Sequence, residues 1–242
     1  MNKVALVTGG VRRLGRQISY FLASNGYSLA LIYNSSKDEE LKRTTDYLKS
    51  NKIKFKLYKC DLRNLPQVKR TITKIGGDFK KIDLLVNNSG MITRVDFGKI
   101  TPKLFEDTIN LNLRAALFVS QYSLKYLKKS QAPLIINMAS LGGMQNWSTF
   151  IPYSLSKTAL IKLTYLLAKE LAPKVRVNAI SPGTIVIEGK KAGTPGIINV
   201  DKIPLKKYGS SKDIISAVKF IIENNYLTGH VIPIDGGRLL NN

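Results

Sequence analysis

Short apolar runs rich in Val, Ile and Leu alternate along the chain with longer segments of mixed polarity. The runs are "KVALVTG", "SLALIYN", "KFKLYKCD", "DLLVNNSG", "PLIINMAS", "VRVNAISPG" and "GHVIPIDGG". Most lack polar alternation, which predicts parallel strands covered on both faces. The segments between them have the length of crossover helices. In "TPKLFEDTINLNLRAALFVSQYSLKYLKK", Thr101 reads as an N-cap and Pro102 as the first helical residue. In "PYSLSKTALIKLTYLLAKELAP", Leu160, Leu163, Leu167 and Leu171 recur at helical spacing, and the pattern stops before Pro173. No repeat, low-complexity tract or linker divides residues 1–242, so one domain is predicted. The pattern predicts an α/β fold: a doubly wound sheet of about seven mainly parallel strands with helices on both faces. Ligands of such sheets bind beyond the carboxyl ends of the strands.

Composition narrows the chemistry. The 242 residues suffice for one sizeable core. No apolar run reaches the roughly 18 residues of a membrane helix. The opening "MNKVALVTGG" lacks the small-residue cleavage site of a secretion signal and reads as a first strand. Cys60 is the only cysteine, which excludes an internal disulfide and fits a reducing cytosol. His230 is the only histidine, which excludes a multi-histidine metal site. The net charge of +22 (38 basic minus 16 acidic residues) suits either a lysine-rich surface or an acidic partner. Lys52, Lys54 and Lys56 alternate with Ile53, Phe55 and Leu57, the period of a strand, and such lysines would guard a sheet edge. No zinc-finger spacing or aromatic-basic motif points to nucleic acid.

The strand ends carry the functional signals. After the first run comes "TGGVRRLGR". Gly9 permits a tight turn and Gly15 a close helix–strand approach, so the N–H groups opening the next helix can seat a diphosphate. At the tip of the second run, an acidic residue would favour NAD. The chain instead has Asn34, Ser35 and Ser36, with Arg12 and Arg13 in the neighbouring turn. Uncharged donors plus guanidinium groups suit a 2′-phosphate, which predicts NADP(H). Asp61, after the third run, suits either the adenine amino group or the cap of the following helix.

Further along lie "NNSG" (Asn87 to Gly90), Ser140 closing "INMAS", and Tyr153 and Lys157 in "YSLSK", 13 and 17 residues beyond Ser140. "SPG" at Ser181 to Gly183 and "IDGG" complete the set. Taken in order from Lys3 to the end, these motifs resemble the short-chain dehydrogenase/reductase family. The resemblance implies a Rossmann-type domain and a Tyr–Lys–Ser group, Tyr153, Lys157 and Ser140, joined by Asn112 rather than its neighbour Asn110. It implies cofactor contacts from Gly9, Arg12, Arg13, Leu14, Gly15, Asn34, Ser35, Ser36, Asp61, Leu62, Asn88, Ser89, Gly90, Tyr153, Lys157, Pro182, Gly183 and Ile185. It also implies a homo-tetramer or dimer that buries the two long helices, and a substrate lid at 184–204, whose Lys190 and Lys191 suit an anionic substrate.

The chemistry also follows from the residues. Positions i and i+4 share a helix face. A phenol near pKa 10 is a poor acid–base group at neutral pH, and a neighbouring ammonium is expected to pull that pKa down. Ser140 can hold a substrate oxygen near the phenol, and a cofactor would bring the hydride. Met144, Trp147 and Phe150 suit an apolar pocket wall, a core contact or a subunit contact. Two features depart from the common pattern. Arg13 stands where the family usually has glycine, and with "DGGRLL" this resembles its pteridine and dihydrofolate reductases. Ser140 stands where pteridine reductases often have Asp. Ile187 replaces a frequent nicotinamide-contacting Thr, leaving Thr184 or a backbone group as the alternative. Three functions are therefore open: an NADPH-dependent reductase of a 3-oxoacyl thioester or similar small carbonyl, whose acidic acyl carrier would suit the basic surface; a pteridine reductase; and a catalytically silent NADP- or nucleic-acid-binding protein. The intact Ser140–Tyr153–Lys157 set weighs against the third.

Overall fold

The structure, a computed structural model, describes residues 3–187 and 199–241. Seven strands lie among these residues: β1 (Lys3–Thr8), β2 (Tyr27–Tyr33), β3 (Phe55–Lys59), β4 (Leu84–Asn87), β5 (Leu134–Met138), β6 (Arg176–Pro182) and β7 (Val231–Ile234). The helices are α1 (Arg13–Ser24), α2 (Asp38–Ser50), α3 (Leu65–Phe79), α4 (Pro102–Ile109), α5 (Ala115–Leu127), α6 (Ile151–Leu171) and α7 (Ser211–Glu223). Each apolar run of the sequence is a strand. They form one sheet in the order β3-β2-β1-β4-β5-β6-β7, and every neighbouring pair is parallel rather than mainly so. The chain winds outward from β1 to β3, then returns to the other side of β1 to begin β4. That reversal opens a crevice above the carboxyl ends of β1 and β4.

Both faces of the sheet are covered, which explains the missing polar alternation. Val4, Leu6, Ala30 and Ile32 enter a core with Ile72 and Ile75 of α3 and Val119 of α5. Their neighbours Ala5, Val7, Leu29 and Leu31 enter the opposite core, with Ile18 and Leu22 of α1 and Ile214 and Val218 of α7. Each fully buried Leu or Ile contributes about 1.5–3 kcal/mol. β3 is an edge strand, as its lysines suggested. Their face turns toward the rim of α3: Lys54 Nζ lies 5.9 Å from the Phe79 ring centroid, and Lys56 Nζ donates to Asp78 at 2.7 Å.

Two features of the long helices differ from their apolar pattern. Thr101 caps α4 by accepting from Leu104 N at 3.2 Å. The helix does not then run on uniformly, because Asn110–Arg114 widens into a π-helical turn before α5. Such turns often mark functional sites, and this one carries the buried Asn112. α6 stops at Leu171, but its inner face is not the leucine stripe. Leu160 is buried beside Ser156, Lys157, Ile161, Thr164 and Ala168, whereas Leu163, Leu167 and Leu171 are only half-buried. α6 packs against β6 on one side and α4 on another, so no single apolar stripe describes it. Inside, Asn87 Nδ2 donates to Ser120 Oγ and Asn137 Oδ1, and Asn137 Nδ2 donates to Thr164 Oγ1, all within 3.0 Å. These bonds fix β4 and β5 to α5 and α6 in register. Among the described residues no helix is long and apolar enough to cross a membrane.

Candidate active site

The turn after β1 is built for close approach. Gly9 has φ +63°, and a Cβ there would sit 3.0 Å from Ser89 Oγ. A Cβ on Gly15 would sit 2.1 Å from the Gly9 carbonyl oxygen, so no larger residue fits. Arg12 precedes α1 without a side-chain cap, and the first turn has no acidic residue. The helix's opening N–H groups are therefore available to an anion. Arg13 is exposed and left-handed at φ +47°, where glycine is ordinarily favoured. Gly9, Arg12, Arg13, Leu14 and Gly15 line a cleft of about 410 Å3 together with Asn34, Ser35 and Ser36, with Asp61 and Leu62, and with Asn88, Ser89 and Gly90. This donor set fits a dinucleotide: open amides and arginines for phosphate, hydroxyls and an amide for a ribose, and a carboxylate for a base.

The β4 tip is locked to this turn. Thr8 Oγ1 accepts from Asn88 N at 2.9 Å and Ser89 N at 3.0 Å, while Asn88 Nδ2 donates to the carbonyls of Thr8 at 2.9 Å and Gly9 at 3.3 Å. The Asn88 side chain thus braces the cleft floor rather than reaching outward.

The structure brings Ser140, Tyr153 and Lys157 together; none of the three is among the residues lining the cleft, and Lys157 stands behind its Gly90. Ser140 is buried at the end of β5, and its Oγ accepts from Gly142 N at 3.1 Å. Its hydroxyl also hydrogen-bonds the Tyr153 phenol. Lys157 is buried one helical turn on, its Nζ donating to the Met138 carbonyl at 2.7 Å and lying 5.9 Å from the Tyr153 ring centroid. A Cβ on the cleft-lining Gly90 would come 3.5 Å from Nζ, so the ammonium stands just behind the cleft wall. Burial pulls the Lys157 pKa down to about 8.

Several sequence expectations need correction. The Tyr153 pKa is raised, not lowered: burial disfavours phenolate, and the Ser140 hydrogen bond only partly opposes it. The Asn112 side chain bonds within the protein. Its Oδ1 accepts from Met91 N at 2.8 Å, and its Nδ2 donates to Met91 O and Ser156 Oγ, both at 2.9 Å. It positions the strand-end loop against α6. Asp61 does not cap α3; that cap is Asn64, which accepts from Gln67 N. Asp61 is gripped by Arg63 through Nε at 3.1 Å and Nη2 at 2.8 Å, and these bonds hold its carboxyl below the usual range. Pro182, Gly183 and Ile185 stay out of the cleft lining. Gly183 N bonds to Ile234 O at 2.9 Å, and Ile185 pairs with Gly209 and packs on the core; Ile187 reaches the cleft instead. Thr184 Oγ1 accepts from Arg238 Nη1 at 2.9 Å. Of the expected lid, residues 188–198, including Lys190 and Lys191, lie outside the described residues. Met144 is a core contact.

Two arginines were not singled out as site residues. Arg63 lines the cleft and pairs with Asp61 and Asp107. The "DLR" spacing, which puts a guanidinium two residues from the carboxylate, was the available signal. Arg238 lies against Trp147, and no local spacing links these two.

Comparison with known proteins settles the family. The profile of the short chain dehydrogenase family matches residues 3–194. The chain belongs to this family. The chain is 31% identical over 245 residues to a 3-oxoacyl-acyl-carrier-protein reductase of Staphylococcus epidermidis, covering 99% of this chain and 100% of that one. Among solved structures, a short chain dehydrogenase of Burkholderia cenocepacia in complex with NADP superposes with a TM-score of 0.91 at 26% identity, covering 98% and 97% of the two chains. A blue fluorescent protein from a metagenomic library, in complex with NADPH, superposes at 0.90 with 28% identity, again over 98% and 97%. As a short-chain dehydrogenase/reductase, the protein is an oxidoreductase acting on a small molecule.

Proposed function

We propose that this chain is an NADP(H)-dependent reductase of a carbonyl substrate, with a 3-oxoacyl thioester as the preferred class. The observation that carries the reading is the convergence of Ser140, Tyr153 and Lys157, with Lys157 directly behind Gly90 of a cleft also lined by Arg12, Arg13 and Asn34 to Ser36. The thioester rests on likeness to the 3-oxoacyl-acyl-carrier-protein reductase. An acidic acyl carrier would complement the net charge of +22.

When bound, NADP(H) supplies the hydride. The turn amides of Gly9 to Gly15 and the two arginines would hold its phosphates, and Asp61 its adenine. Ser140 Oγ holds the substrate carbonyl oxygen. Tyr153 donates its phenolic proton to that oxygen as negative charge develops. The raised phenol pKa keeps Tyr153 protonated at neutral pH, which is the form that reduction needs. The Lys157 ammonium, close to the ring, stabilises the phenolate left behind. Asn112 keeps Met91 and Ser156 in place.

A homo-tetramer or dimer is the proposed assembly. Phe105 of α4 and Leu155, Tyr165 and Leu166 of α6 are 41%, 52%, 43% and 54% exposed, an outward apolar face on the helices implied to pair. A reducing cytosol suits the buried, unpaired Cys60.

NADPH oxidation is the test, with an acetoacetyl thioester, a dihydropterin and a small diketone as substrates. Turnover of the thioester supports this reading, and turnover of the pterin alone transfers it to pteridine reduction. No turnover with tight, salt-sensitive DNA binding would replace it with a nucleic-acid function.

A further inference from the structure

The segment after β7 turns back toward the loop that precedes α6. Gly236 and Gly237 adopt φ +65° and +88°. The Asp235 carboxylate accepts from Gly237 N at 2.9 Å and Leu239 N at 2.8 Å. This turn delivers Arg238 onto the loop between β5 and α6. The guanidinium carbon lies 5.3 Å from the Trp147 ring centroid, within cation–π range. Nη1 donates to Thr184 Oγ1 at 2.9 Å. The Arg238 carbonyl accepts from Gln145 Nε2 at 2.8 Å, and Gln145 Oε1 accepts from Trp147 Nε1 at 3.2 Å. Arg238 therefore holds Trp147 twice, through its side chain and, by way of Gln145, through its backbone.

The indole so held lies beside the reacting phenol. Its ring is 6.4 Å from the Tyr153 ring, centroid to centroid, with 18° between the planes. Its other neighbours are fixed as well: Phe150 meets it edge-on, and a Cβ on Gly142 would come 2.7 Å from Cε3. An anchor for the C-terminal segment would need only the Gln145 bond. The partial burial of the guanidinium over an aromatic face, which pulls its pKa down, goes beyond that need.

We propose that Arg238 is a positioning residue for the substrate side of the active site: it fixes Trp147 as the wall beside Tyr153 and ties that wall to Thr184 at the end of β6. The inference rests on the reductase reading for its kinetic consequence, though not for its spectroscopic one. Trp147 then limits the width next to the reacting carbonyl. A carbonyl flanked on that side by a slim or planar group is accepted, and a branched one is excluded.

Trp147 is the chain's only tryptophan, so tryptophan emission reports on this one site. The test compares wild type, Arg238→Leu, Arg238→Lys and Thr184→Val in the full chain. It reads Trp147 emission, acrylamide quenching, and NADPH-dependent kinetics with an acetoacetyl thioester and 2,3-butanedione. Arg238→Leu is expected to red-shift the emission and to increase quenching about two-fold. It is expected to raise KM about ten-fold while kcat stays within about three-fold, the pattern of lost positioning rather than lost chemistry. Arg238→Lys keeps the charge but lacks the planar fork, and should fall between the two. Unchanged emission and quenching in Arg238→Leu overturns the proposal, as does a fall in kcat at constant KM. Should Arg238→Leu not fold, Thr184→Val removes only the hydroxyl acceptor, and unchanged emission there overturns the proposal equally. Absence of turnover in wild type would sink the reductase reading and leave emission to decide the clamp.

Discussion

Lys157 donates its ammonium to the backbone carbonyl of Met138 at 2.7 Å from a fully desolvated position. Its folded pKa of about 8 lies below the ordinary 10.5. The fold thus favours the neutral amine. The cost of burying charge is complete below pH 8 and is relieved as pH rises toward 10.5. Lys157→Met is expected to be more stable than wild type at pH 7 by about 2 kcal/mol, after the lost hydrogen bond is counted. The advantage should shrink between pH 8 and 10.5. Urea denaturation at pH 7 and pH 10 measures both, and a wild type as stable as the variant at pH 7 would refute the assignment.

Tyr153 and Ser140 divide the proton chemistry. Tyr153→Phe is expected to lower kcat for carbonyl reduction about 10^3-fold with NADPH binding retained, and Ser140→Ala about 10^2-fold. Stopped-flow turnover beside NADPH fluorescence titration separates the two effects.

The pH profile should be one-sided. With the phenol raised, Tyr153 stays protonated through neutrality. The alkaline limb comes from Lys157, whose charge is lost around pH 8. For NADPH, kcat/KM is expected to be flat from pH 6 to 7.5 and to fall above pH 8. A limb centred below pH 7 would contradict the buried geometry.

Gly15→Ala drives a Cβ into the Gly9 backbone carbonyl and brings it 2.6 Å from the Asn88 side-chain amide. The turn must open. A stability loss of about 1–3 kcal/mol is expected, with dinucleotide affinity lost along with it. Thermal unfolding with and without NADPH reads both.

Arg13 holds a left-handed conformation at φ +47°. Arg13→Gly should relieve backbone strain of about 1 kcal/mol. It should also lower the preference for NADPH over NADH about ten-fold, since a guanidinium partner of the 2′-phosphate is gone. Wild type and Arg13→Gly can be assayed with the two cofactors. An unchanged preference would assign phosphate recognition to Arg12 or to Asn34 to Ser36.

Much of the molecule was legible because parallel strands covered on both faces write themselves as apolar runs, and because strand-end turns need particular residues. Gly9 and Gly15 are read from sequence for the reason they are needed in space. Other features were hidden. The leucine stripe of α6 misled because that helix is embraced on more than one side. The direction of the Tyr153 shift was hidden because sequence shows Lys157 as a neighbour but not that both groups are desolvated.

The order of apolar runs and the residue types at their ends determined the doubly wound sheet and the glycine turn after β1, while resemblance to the family singled out Ser140, Tyr153 and Lys157. The sheet and the turn follow from short-range rules of periodicity and turn geometry. Tertiary structure alone decided that Asn112 braces Met91, that Arg63 clamps Asp61, and that Arg238 reaches Trp147 across 91 positions of chain. Those outcomes depend on which groups water leaves and which distant atoms then meet. Desolvation and long-range contact are properties of the packed molecule, and no local pattern encodes them.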